Sequence, residues 1–125
     1  MKLSERDIER TCTDFLQLDD WRPLKTDPVS RREWGKGFGE KGMADHLYIR
    51  YLGALMASFC NRVTAQVMWI EWKSVDGKAA PHQLMWHTVE RARGSFTLIA
   101  GEDFEKSIEG FMKWYRNSGL MRRKI

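Results

Sequence analysis

The chain reads as one α/β domain, residues 1–125, with a mixed sheet flanked by helices. The order is helix, weak strand, strand, strand, helix, strand, helix (αβββαβα). Three observations carry this. A length of 125 residues suits one domain with a core of its own. Stretches with helical spacing lie near both ends, and strand-like runs lie between them. Val67-Met68-Trp69-Ile70 is apolar at consecutive positions, as in a strand covered on both faces.

Ser4-Glu5-Arg6-Asp7 reads as a helix start of capping-box type. Ile8, Cys12, Phe15 and Leu16 follow on one helical face, and the helix ends near Asp19-Asp20. Trp21 to Lys25 suits a short strand that Pro23 confines to an edge. Residues 26–44 carry Pro28, Gly35, Gly37, Gly39 and Gly42 and read as a long, mobile loop. His46 to Leu52 alternates as a strand. Residues 53–66 fit either a strand extension or a short helix. Val67 to Ser74 is the central strand, followed by a turn at Val75-Asp76-Gly77-Lys78. Pro81 starts a helix that runs to about Arg93 and stops at Gly94. Ser95 to Ala100 is a further strand. Asp103 opens the last helix, with Phe104, Ile108, Phe111, Met112 and Tyr115 on one stripe.

Composition sets limits on function. The 21 basic and 17 acidic residues give a net charge of +4, which suits a polyanionic partner without requiring one. Cys12 and Cys60 form no disulfide framework and read as reduced thiols. No run is of signal or membrane-spanning type, so the expected location is the cytoplasm (the host's, if phage-encoded) with no membrane partner. Nothing in the pattern asks for a nucleotide cofactor. Most of the six tryptophans are expected in the core.

Glu71-Trp72-Lys73 ends the central strand. Alternation puts Glu71 and Lys73 on one face with Val67 and Trp69, and Met68, Ile70 and Trp72 on the other. A carboxylate and an ammonium closing an apolar strand are costly unless paired or used. If the strand from His46 runs antiparallel to this one, Asp45 arrives beside Glu71 and Lys73, with the Trp72 carbonyl close by. Such hard oxygen donors suit Mg²⁺ or Mn²⁺. The metal would polarise a phosphate and Lys73 would orient water, which is phosphodiester chemistry. A salt bridge at a strand end is the rival explanation of the triplet.

Glu5 falls inside the apolar stripe of the first helix, with Glu9 nearer its edge. A partly buried acid there serves either the metal or the helix dipole. Gln83, in the first turn after Pro81, is a candidate contact for phosphate or the attacking water, or a plain exposed amide. His87 lies one turn on and reads as facing the same way. His82 and His87 are not at the spacing of a helical zinc pair. His46 reads as a surface residue. Arg31, Arg32, Lys36 and Lys41, interleaved with Trp34 and Phe38, form a candidate backbone-contacting loop, diluted by Glu33 and Glu40. Arg122-Arg123-Lys124 is a basic tail.

Together these residues resemble the VRR-NUC (virus-type replication-repair nuclease) family of the PD-(D/E)xK nucleases. Glu5 matches the acid of the family's first helix. Gly42-Met43-Ala44-Asp45 matches the Gly-x-Pro-Asp strand start, with alanine in place of proline. Glu71-Trp72-Lys73 matches Glu-x-Lys. Gly77-Lys78-Ala79-Ala80-Pro81-His82-Gln83 matches the turn and Gln, and Ser95-Phe96-Thr97-Leu98-Ile99 the following strand.

The resemblance implies a restriction-endonuclease-like core and Mg²⁺- or Mn²⁺-dependent cleavage of DNA. It implies Asp45, Glu71 and the Trp72 carbonyl as metal ligands, with Glu5 joining directly or through water, and Lys73 and Gln83 in the catalytic group. Arg31, Arg32, Lys36, Lys41, Lys78 and His87 are the candidate DNA contacts. Stand-alone members of this length resemble Holliday-junction resolvases acting as homodimers. A flap, nicked or duplex DNA nuclease and a non-catalytic DNA-binding module are the alternatives.

Overall fold

The computed structural model describes residues 2–26, 40–51, 53 and 65–122. Most of the expected loop, at 27–39, and most of the ambiguous connection, at 54–64, lie outside them. Helix α1 spans Glu5–Leu18. Strands β1 (Arg22–Lys25), β2 (His46–Tyr51) and β3 (Ala65–Glu71) follow. Helix α2 is Pro81–Ala92, strand β4 is Thr97–Ile99 and helix α3 is Ile108–Asn117. The described strands form one mixed sheet in the order β1-β2-β3-β4. β1, β2 and β3 pair antiparallel, and β4 joins β3 in parallel. A parallel neighbour needs a crossover connection, and α2 supplies it. No described helix is long and apolar enough to cross a membrane.

The Ser4 hydroxyl caps α1 by accepting from the Asp7 N–H at 3.1 Å. Ile8, Cys12 and Leu16 then turn one buried stripe to the sheet. Burial, helped by Glu109 and Glu9, raises the Cys12 thiol to about 12, which leaves it inert. On this side Tyr48, Met68, Ile70 and Trp72 meet α1, Phe104 and the α3 residues Phe111 and Tyr115. The Trp72 ring packs edge-on to Phe104 and Phe111, and its Nε1 donates to Tyr48 Oη at 3.0 Å. On the other side Trp69 meets Trp86 of α2 at 5.2 Å between ring centres. This second face of β3 is thus covered at Trp69, while Val67 stays exposed among the described residues.

Arg50 also points to the α1 side and is buried. Its Nη1 lies 3.1 Å from Asp19 Oδ2 and its guanidinium 4.4 Å from the Trp21 ring centre. Tyr115 Oη donates to Asp19, and Trp21 Nε1 donates to Tyr115 Oη at 2.8 Å. A buried charge pair survives because each group is bonded.

Several boundaries differ from the sequence expectation. β3 ends at Glu71, so Trp72 and Lys73 lie just past the strand. Trp21 precedes β1 as a core residue. The last helix starts at Ile108, not at Asp103, because Asp103 has other partners. Its Oδ2 accepts from Ile99 N–H at 2.7 Å and from Arg91 Nη2 at 2.6 Å, which closes a turn after β4. Ser107 is the N-cap instead, accepting from Gly110 N–H at 2.9 Å.

Candidate active site

The β2–β3 register pairs His46 with Ile70. Continued by one residue, it sets Asp45 opposite Glu71. Two backbone features bring Asp45 there. The Thr26 N–H donates to Asp45 O at 2.8 Å, extending the β1–β2 ladder past its last pair. Gly42 has φ +84°, and a Cβ on it would stand 2.2 Å from the His82 carbonyl oxygen. The glycine of Gly42-Met43-Ala44-Asp45 thus lets this segment press against the first turn of α2.

The Glu71 side chain is fully buried. Neither of its oxygens has a hydrogen-bond partner among the described residues. Lys73 Nζ is 3.7 Å from Oε2, an ion-pair distance beyond a hydrogen bond. Burial first, then the Asp45 charge and a hydrogen bond available between the two carboxyls, push the Glu71 carboxyl up from 4.5 to about 9. Glu5 adds to the rise and Lys73 opposes it. The two observations agree physically, because two carboxylates can bond each other only when one is protonated. Ionised, Glu71 is an orphaned buried anion, and a cation would satisfy it.

Hard carboxylate oxygens of this kind fit Mg²⁺ or Mn²⁺. Among the described residues no three His, Cys, Asp or Glu side chains gather into a metal-binding group. The carboxyls brought together at this point are those of Asp45 and Glu71.

Asp45 and Trp72 also line a cleft of about 360 Å³, together with Glu5, Arg6, Glu9, Lys25 and His46. Glu71, Lys73 and Gln83 are not among its lining residues. Glu5 is exposed at the cleft rim rather than set in the buried stripe of α1. The Gln83 Oε1 accepts from Lys73 Nζ at 3.1 Å and from Ala80 N–H at 2.8 Å.

The candidate DNA contacts fare unevenly. Arg31, Arg32 and Lys36 lie outside the described residues. Lys41 is exposed, but in a groove beside His82, Met85 and Trp86 that excludes Asp45. Lys78 is exposed in another cleft, beside Gly77 and Lys106. His87 does not face outward with Gln83. It is buried against β4, bonded through Nδ1 to Thr97 Oγ1, and burial and Arg91 lower it to about 4.

His46 is the main surprise of the cleft. It is buried, not a surface residue, and its Nε2 meets Glu9 Oε1 at 2.8 Å. Burial lowers its pKa, with Lys25 adding to that; Glu9 and Asp45 act oppositely. The signal was available, since alternation puts His46 on the same face as Tyr48. Arg6 and Lys25 are the cations that line the Asp45 cleft. Lys25 is the β1 residue paired with His46, which only the strand register reveals. No family model, curated protein or solved structure matches the chain.

Proposed function

We propose that this chain is a Mg²⁺- or Mn²⁺-dependent DNA endonuclease of the PD-(D/E)xK type and VRR-NUC family, cutting branched DNA as a homodimeric Holliday-junction resolvase. The observation that carries the reading is the Glu71 carboxylate. It is buried, both oxygens lack hydrogen-bond partners, and Asp45 and Lys73 stand beside it. A salt bridge alone is a poor account of this arrangement. The ammonium is 3.7 Å away, and a lone pair would not gather a second carboxyl against the first. Among the described residues, the αβββαβα order and the sheet order β1-β2-β3-β4 are compatible with a restriction-endonuclease-like core.

Asp45, Glu71 and the Trp72 carbonyl would hold the metal, with Glu5 supporting it from the cleft rim. The bound metal supplies Lewis-acid polarisation of the phosphate and a lower pKa for water. Lys73 orients the attacking water and faces the negative charge that grows on the phosphoryl oxygens. As the water oxygen bonds to phosphorus, one of its O–H bonds breaks and the proton passes to solvent. The ester P–O bond breaks, and the leaving oxygen takes up a proton from solvent, so one water is consumed per cut. Arg6 and Lys25, on the walls of the same cleft, supply positive charge for flanking phosphates. A four-way junction needs two cuts, and one site per chain makes a twofold dimer the economical arrangement. The reading places the protein in the cytoplasm.

The test is a cleavage panel of four-way junction, flap, nicked duplex, duplex and single strand with Mg²⁺ or Mn²⁺. Symmetric cuts in the junction support the proposal. Preference for flap or duplex keeps the nuclease and removes the resolvase. Binding without cutting, unchanged by removal of divalent metal, means a DNA-binding module.

A further inference from the structure

Gln83 carries two jobs on one oxygen. Its Oε1 accepts from the Ala80 N–H at 2.8 Å and from Lys73 Nζ at 3.1 Å. The first bond belongs to the helix. Ala80 is the N-cap of α2 and has no side-chain acceptor, so Gln83 supplies the side-chain half of a capping box. The second bond reaches across to the residue two places past Glu71. A carbonyl oxygen has two lone pairs, and here both have a donor. That oxygen is not available to a water proton; the Nε2 amide group keeps its two N–H donors.

Lysine is a point charge on a flexible four-carbon stem, and nothing in the stem sets its direction. Lys73 Nζ stands 3.7 Å from Glu71 Oε2, outside hydrogen-bond range. Gln83 Oε1 is the acceptor within that range among the described residues. The Gln83 end is fixed twice over. The Ala80 amide anchors its oxygen, and the first turn of α2 is wedged against Gly42 through the His82 carbonyl. The same glycine turn leads into Asp45, so one rigid contact sets both the carboxyl of Asp45 and the anchor of Lys73.

We propose that Gln83 is a positioning residue that acts through Lys73, its amide oxygen holding the ammonium against the Asp45–Glu71 pair. This rests on the nuclease reading. It assigns the amide oxygen to Lys73 and Ala80 and leaves the Nε2 amide as the one donor end of the side chain.

The experiment compares wild type, Lys73→Ala, Gln83→Leu, Gln83→Glu and the double variant Gln83→Leu with Ala80→Ser. The serine restores an N-cap acceptor for α2 without touching Lys73. The substrate is the DNA of the panel that wild type cuts. Gln83→Leu should lower kcat by about 10²-fold and leave KM within about threefold, as expected for a misplaced group near the reacting centre. The double variant should recover the melting temperature and not the kcat. Gln83→Glu keeps an acceptor at both donors and should retain kcat within about tenfold of wild type. On metal-free protein, ¹⁵N NMR should show slow exchange of the Lys73 ammonium protons in wild type and Gln83→Glu, and fast exchange in the double variant. Recovery of kcat by Ala80→Ser reduces Gln83 to a helix cap and overturns the proposal. So does slow ammonium exchange in the double variant. If Lys73→Ala cuts like wild type, the nuclease assignment of Lys73 falls first. If only Gln83→Leu cuts like wild type, the positioning role alone falls.

Discussion

Lys73 Nζ stands 3.7 Å from Glu71 Oε2 just past the end of β3, and the carboxylate it faces is sealed from solvent. The ammonium is close enough to lower the carboxyl's pKa but too far to bond it. Glu71 is left with its proton or with a cation.

The Lys73→Ala variant should lose cleavage by at least about 10²-fold, the cost of removing a charge that faces the transition state. Junction binding, measured by fluorescence anisotropy with Ca²⁺ in place of Mg²⁺, should change by less than about threefold, since one phosphate contact among many is lost. Wild-type cleavage by this variant with Mg²⁺ present sinks the assignment.

The Glu71 proton links stability to pH. The folded carboxyl sits at about 9 and the ordinary value is 4.5, so between these the native state binds the extra proton. Stability is then fully present below 4.5 and is lost as pH rises through about 9. Melting curves of the metal-free protein should show the melting temperature falling across that window. Glu71→Gln, neutral at every pH, should flatten the fall. A slope unchanged by this variant would show that Glu71 is not the group responsible.

Divalent metal should reverse that loss. A ligand that binds only the folded state stabilises by mass action, about 2.7 kcal/mol at a hundredfold excess over Kd. Millimolar Mn²⁺ should therefore raise the melting temperature by several degrees, more at pH 8 than at pH 6, because the metal displaces the Glu71 proton. Asp45→Asn should abolish the shift. No shift in the wild type counts against any metal site here.

Gly42→Ala should destabilise the fold by roughly 2–4 kcal/mol, since it adds both a positive-φ penalty and a clash with the His82 carbonyl. Thermal melting checks this, and the Mn²⁺ shift should shrink with it as Asp45 is displaced. An unaltered melting temperature would mean that the glycine turn does not touch α2 in solution.

The pattern of residues announced much of this site, and it did so unevenly. The apolar run from Val67 to Ile70 and the turn after it gave β3, and Pro81 gave the start of α2, because these signals are local. Asp103 misled, because a first-turn acid and a turn-closing acid look alike until Arg91 and the Ile99 amide are seen to claim it. His87 misled for a related reason. Helical spacing gives a direction around α2, but which side the sheet covers depends on β4 and Thr97. His46 misled by reading as a surface residue, and Lys25 escaped notice because its pairing with His46 is a matter of strand register across a connection of some twenty residues.

The sequence alone determined the α/β class with a mixed sheet, the stripe on α1, the β-branched and aromatic content of the sheet, and the nomination of Asp45, Glu71 and Lys73. Those are properties of neighbours along the chain, where side-chain period and turn chemistry act. Tertiary structure decided the burial of Glu71, the sharing of Gln83 between Ala80 and Lys73, and the His46–Glu9 contact in the cleft. Each depends on how separate elements are placed against one another. It also depends on the exclusion of water from between them, and no local pattern encodes that.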